Sequence, residues 1–246
     1  MSSASCGKIL ARARLDTGTL RCSKERRSQN GIKKMDTLDF ILNKFKINFH
    51  DKPRIPIEIP NIGRDNLADL FKELGFKIGA EIGVYYGWYS EKLCRANPEM
   101  KFYAIDPWRQ AEGFEAYDDN RLEDAYRTAR KTLNEYNCTI IRKTSKEAAN
   151  DFEDNSLDFV YIDANHAFEH VYEDITAWSK KVRIGGIISG HDFIKFKDIK
   201  QHKVVEAVLS YVLAHNIRPW FLLGSRKNIP GMIRDRHRSW MWVRSV

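Results

Sequence analysis

Between residues 78 and 190, short apolar runs alternate with stretches whose apolar residues recur at helical spacing. No other property of the chain restricts the fold as strongly. Runs such as Phe102-Tyr103-Ala104-Ile105 and Phe159-Val160-Tyr161-Ile162 are apolar without a break, which suits strands buried on both faces. The intervening stripes, Leu122, Ala125, Tyr126, Ala129 and Leu133 in one and Phe168, Val171, Ile175 and Trp178 in another, give each helix one face to lay on a sheet. The pattern predicts strands near 78–83, 101–106, 138–142, 157–163 and 185–190, with helices at 87–96, 120–135, 145–152 and 167–181. Parallel neighbours need crossovers, so this alternation implies an α/β fold whose mostly parallel sheet carries helices on both faces.

The flanks extend the unit. Leu38, Ile41, Leu42 and Phe45 recur at helical spacing behind Asp36 or Thr37, either of which can cap. Pro53, Pro56 and Pro60 then break regular structure, and a second helix carrying Leu67, Leu70, Phe71 and Leu74 stops at Gly75. After residue 190 a helix is expected near 203–214, then two apolar segments at 218–223 and 239–244 that pair as an antiparallel edge. The expected organisation is a basic tail at 1–34, an N-terminal helical cap at 35–75 and the main domain at 76–246.

Charge is unevenly placed. The net charge is +8, and the first 34 residues, with nine Lys or Arg against Asp16 and Glu25, supply most of it. That Ser-rich stretch reads as disordered, and three roles stay open for it: an accessory tail upstream of a functional start at Met35, an arm for nucleic acid or a membrane surface, or a targeting segment. The near-neutral remainder argues against an extended basic groove. Cys6, Cys22, Cys94 and Cys138 lack the close paired spacing of zinc or redox sites, which fits a reducing, cytoplasmic setting. No apolar run approaches the roughly 20 residues of a membrane span. A homo-oligomer is compatible with all of this.

Chemistry concentrates at predicted strand ends. Glu81-Ile82-Gly83-Val84-Tyr85-Tyr86-Gly87 lies where a buried strand turns into a helix, and glycines there let a ligand approach the backbone. A dinucleotide loop needs three glycines to cradle diphosphate. This chain has two, preceded by Glu81, whose carboxylate favours a cationic ammonium instead. Asp106 ends the next strand, at the spacing where a carboxylate accepts ribose hydroxyls; Trp108 either covers an adenine face or belongs to the core. Ser145 is placed either to meet an adenine amino group or to cap the following helix. Asp163, His166, His191 and Asp192 follow the next two strands and should converge beside the glycine loop, since open parallel sheets bind ligands at that edge.

The loop resembles motif I of the class I S-adenosylmethionine-dependent methyltransferases. The Asp-x-x-His at 163–166, the helix bearing Asp174, and the Gly185-Gly186 and His191-Asp192 pairs look like a small-molecule, O-methyltransferase-like branch of that superfamily, over roughly residues 76–193. The resemblance implies a Rossmann-like, seven-stranded sheet with an antiparallel last strand. It implies S-adenosylmethionine held by Glu81, Gly83, Tyr85, Gly87, Asp106, Trp108, Ser145 and Asp163, with methyl transfer to a small-molecule acceptor, on a hydroxyl oxygen. His166, His191 and Asp192 are the catalytic candidates, with an imidazole of ordinary pKa near 6.5 as base. Related catechol-type enzymes hold a divalent ion with an Asp and an Asp-Asn pair, so Asp163 and Asp192 are candidate Mg²⁺ ligands, although His191 departs from that pattern. Two other readings remain: a nucleic-acid methyltransferase or binding protein using the basic tail, and a non-catalytic relative.

Overall fold

The computed structural model describes residues 35–48, 55–110 and 117–245; the basic tail expected at 1–34 lies outside them. Among the described residues eight strands form one sheet: β1 (Ile57–Ile59), β2 (Ile78–Ile82), β3 (Lys101–Ile105), β4 (Cys138–Ile141), β5 (Leu157–Ile162), β6 (Val182–Gly190), β7 (Phe221–Leu223) and β8 (Trp240–Val243). Their order is β1-β7-β8-β6-β5-β2-β3-β4. Every pairing is parallel except those of β8, which runs antiparallel to both β6 and β7.

Two expectations need correction. Residues 57–59, read as broken by prolines, form an extra edge strand that pairs with β7, because the stretch between Pro56 and Pro60 is long enough for three ladder residues. The sheet therefore has eight strands rather than seven, and residues 35–75 supply part of it as well as helices. The last two strands do pair, but β8 is no edge. It sits inside the sheet, its Trp240, Met241 and Trp242 buried on both faces.

Among the described residues the helices are α1 (Thr37–Lys44), α2 (Leu67–Glu73), α3 (Trp88–Ala96), α4 (Asp119–Leu133), α5 (Ser145–Ala149), α6 (Phe168–Ser179) and α7 (Val204–Ala214), with a 3-10 turn at Arg64–Asn66. The Asp36 side chain caps α1 by accepting from the Leu38 amide, and Thr144 with Glu147 forms a capping box on α5. Successive residues of β5 feed opposite cores. Phe159 and Tyr161 pack with Phe71, Phe102 and Met241 under α1 to α4, whereas Val160 and Ile162 pack with Trp178, Ile188 and Trp240 under α5 to α7. Phe71 stacks on Phe159 with ring centroids 3.9 Å apart, and burying each such side chain contributes about 1.5–3 kcal/mol.

This topology positions the site. The C-terminal ends of β2, β3, β5 and β6 lie along one edge of the sheet, and the antiparallel run of β8 brings the residues before it to the same edge. Among the described residues no helix is long and apolar enough to cross a membrane.

Candidate functional site

The loop after β2 is built by its glycines and tied down by Asp106. Gly83 has φ +90°, and a Cβ there would lie 2.1 Å from the Asp163 carbonyl oxygen. Only glycine fits, and the loop consequently abuts the end of β5. Gly87, at φ +81°, stands at the N-terminus of α3. Asp106 accepts from the Tyr85 amide at 3.0 Å and from the Trp108 amide at 2.7 Å. Burial pushes its carboxyl up, against the pull of these amides. Tyr85 adopts a left-handed φ of +53°, fixed by that bond, by the Trp108 indole N–H donating to its carbonyl at 2.7 Å, and by Arg121 donating to its hydroxyl at 2.6 Å.

Glu81 is buried, 1% exposed. The Ser90 hydroxyl donates to it, and the Arg64 guanidinium stands 3.7 Å away. Burial outweighs both and pushes its carboxyl up to about 8. Arg64 lies closer to Asp163, at 2.8 Å, with its guanidinium over the Tyr89 ring at 4.1 Å. One cation thus bridges the acid of the cofactor loop and the acid that ends β5. The sequence carried no signal for Arg64, which comes from a turn outside the strand–helix alternation.

Asp192 is the hub of the second half. Its Oδ2 lies 3.0 Å from His166 Nε2 and 3.6 Å from His191 Nδ1, and its Oδ1 lies 2.8 Å from His237 Nδ1. His191 also faces Asp235 through Nε2 at 3.7 Å. Burial disfavours charge on both imidazoles. For His166 the Asp163 and Asp192 carboxylates outweigh it, and for His191 the Asp192 and Asp235 carboxylates do so, which pushes each ring up to about 9. Neither is the unperturbed imidazole expected from the sequence. Burial works against the Asp192 carboxylate too, yet His166 and His191 hold it well below the usual range. The predicted group of Asp163, His166, His191 and Asp192 is therefore assembled, and His202, His237 and Asp235 join it from loops that no local pattern marks.

Three expectations turn out differently. Trp108, 2% exposed, is a core residue whose indole is committed to Tyr85, so it offers no face to adenine. Ser145 neither caps α5, since Thr144 does, nor turns its hydroxyl to the sheet edge: the hydroxyl donates to Asp174 and accepts from the Trp178 indole at 2.9 Å. Asp163 and Asp192 do not fit Mg²⁺, which demands a near-octahedral set of oxygens. Arg64 already places a cation on Asp163, and Asp192 is flanked by imidazoles.

Comparison with known proteins agrees with this layout. Residues 80–193 match a family model described as a methyltransferase domain. A Sinorhizobium fredii protein, y4gI, described as uncharacterized, is 26% identical over 128 residues, which is 50% of this chain and 13% of that protein. The chain thus spans a small part of that relative's length. An O-methyltransferase from Bacillus cereus, solved in complex with SAH, is similar in fold: TM-score 0.53, 14% identity, covering 85% of this chain and 90% of that one. So is a Staphylococcus aureus protein provisionally titled a caffeoyl-CoA O-methyltransferase, with TM-score 0.51 and 15% identity over 84% of this chain and 91% of that one. At such identities the likeness is one of fold.

Proposed function

We propose that residues 80–193, which match a methyltransferase domain, form a class I S-adenosylmethionine-dependent domain and that the protein transfers the methyl group to a hydroxyl oxygen of a small-molecule acceptor. One observation carries this reading. The cofactor loop and the end of β5 are in backbone contact at Gly83 and Asp163, so the donor end of the site and the cluster of His166, His191 and Asp192 adjoin along one edge of the sheet.

In this reading Glu81 attracts the ammonium of the cofactor and Asp106 accepts from its ribose hydroxyls. Arg64, paired with Asp163 at 2.8 Å, turns to the methionine carboxylate. An acceptor hydroxyl would be held at the β5 and β6 ends. Bound S-adenosylmethionine would supply an electrophilic methyl group, a C–O bond replacing the S–C bond and the neutral thioether leaving, while the hydroxyl proton would be lost to solvent beside the positively charged His166 and His191 rings. Alignment of nucleophile and methyl group is the protein's main contribution, since orienting two bound reactants can supply on the order of 7–11 kcal/mol of rate acceleration.

Incubation with methyl-labelled S-adenosylmethionine and matched acceptors bearing a hydroxyl, an amine or a thiol tests the proposal. Label should appear on the hydroxyl compounds and fall at least tenfold in His166→Ala and Asp192→Asn. Transfer to amines or thiols alone, or to RNA in preference to any small molecule, would overturn it.

A further inference from the structure

Four of the chain's seven histidines stand at one edge of the sheet. His166 follows β5, His191 follows β6, His202 precedes α7 and His237 precedes β8. Asp192 lies among them with a left-handed φ of +59°. His202 is 8% exposed, and its ring packs against that of His166 with centroids 4.8 Å apart. Both of its ring nitrogens are buried without a hydrogen-bond partner among the described residues, and so is His166 Nε2. The 3.0 Å approach of that nitrogen to Asp192 is a close contact not aligned as a hydrogen bond. Buried polar atoms without partners are costly, and one such nitrogen from each of the two rings, grouped with the Asp192 carboxylate, calls for a shared partner that accepts lone pairs.

We propose that His166, Asp192 and His202 bind one divalent transition-metal ion. A ligand atom from each of the three lies within 4.8 Å of the other two, so a small inward shift of the rings brings them onto a common ion with metal–nitrogen bonds of about 2.0–2.1 Å. Two imidazoles and one carboxylate select a borderline ion such as Zn²⁺ or Co²⁺ over Mg²⁺, and leave coordination positions open to an oxygen from outside the protein. His237 on the other carboxylate oxygen, 2.8 Å away, fixes the orientation of Asp192, as partners of ligating carboxylates commonly do. A second grouping, of His191, Asp192 and His237, is equally compact. It is less suited, because His191 already faces a second carboxylate, Asp235, and the His237 side chain is 44% exposed.

The proposal stands on this geometry and does not depend on methyl transfer. The full-length protein, stripped with a chelator, is titrated with Co²⁺ and followed by visible absorption. One equivalent should bind with d–d bands that Zn²⁺ displaces and excess Mg²⁺ does not. His202→Ala and Asp192→Asn should weaken binding at least about tenfold with circular dichroism unchanged, while His215→Ala should leave it unaltered. Because these variants can perturb folding, the wild type is also examined by NMR with Co²⁺ bound, where hyperfine-shifted resonances from two imidazoles are expected. Unchanged Co²⁺ affinity in folded His202→Ala, displacement by Mg²⁺, or shifted signals from fewer than two imidazoles would overturn the site. Titrating S-adenosylmethionine into the same samples separates the two readings: metal binding without cofactor binding would contradict the proposed function alone, and the reverse this inference alone.

Discussion

Gly83 shows how one residue joins two halves of the site. Its positive φ and the 2.1 Å approach of a hypothetical Cβ to the Asp163 carbonyl leave no room for a side chain, so Gly83→Ala must push the cofactor loop off β5. A loss of about 2 kcal/mol or more in urea unfolding is expected, together with weakened S-adenosylmethionine binding; full stability and affinity would show that the contact is dispensable. Asp174 gives a pH signature. Burial pushes its carboxyl from 3.8 up to about 7, against the hydrogen bond from Ser145. The folded state therefore holds this proton more tightly than the unfolded state. The stabilisation from protonation is fully present below the unfolded pKa and is lost as pH rises through about 7. Asp174→Asn keeps an acceptor for Ser145 and cannot ionise. Thermal unfolding should show the variant ahead of the wild type at pH 8, on the order of 2 kcal/mol, and the advantage should shrink toward pH 4. A difference independent of pH would contradict this account of Asp174.

At the scale of elements, the β2-to-β6 core was legible because each strand is an unbroken apolar run and each helix a single apolar stripe. Those periods follow from local geometry alone. β1 was not legible, because three residues between prolines carry no periodicity and gain their ladder only from the distant β7. The interior place of β8 was hidden for the same reason, since pairing across about fifty residues leaves no local mark. Its seat depends on Gly190, where a Cβ would lie 2.3 Å from the Trp240 ring and 2.5 Å from the Ile162 carbonyl oxygen. Gly190→Ala should thus prise β6 from β8 and displace the adjoining His191 and Asp192. Lower stability and a disturbed Co²⁺ spectrum are expected; native stability would show that β8 accommodates the methyl group.

For the molecule as a whole, the site divides by origin. Glu81, Asp106, Asp163, His166, His191 and Asp192 could be read in advance because a parallel sheet delivers its strand ends to one edge. Arg64, His202, Asp235 and His237 arrive from the flanks, placed by tertiary packing. Trp108 was ambiguous in sequence because a tryptophan after a strand serves a ligand face or a core equally well; its indole bond to Tyr85 decides for the core. The central claim is that the edge is arranged for a cationic methyl donor, and Glu81 reports on it directly. Its carboxyl sits at about 8, so a bound ammonium must draw the group into its ionised form and expel a proton at neutral pH. The most direct measurement is calorimetric titration with S-adenosylmethionine at pH 7 in buffers of different ionisation enthalpy. The account predicts binding accompanied by net proton release, with both affinity and release reduced in Glu81→Gln and with no binding of NAD. Binding of NAD without S-adenosylmethionine, or cofactor binding indifferent to Glu81, would contradict it.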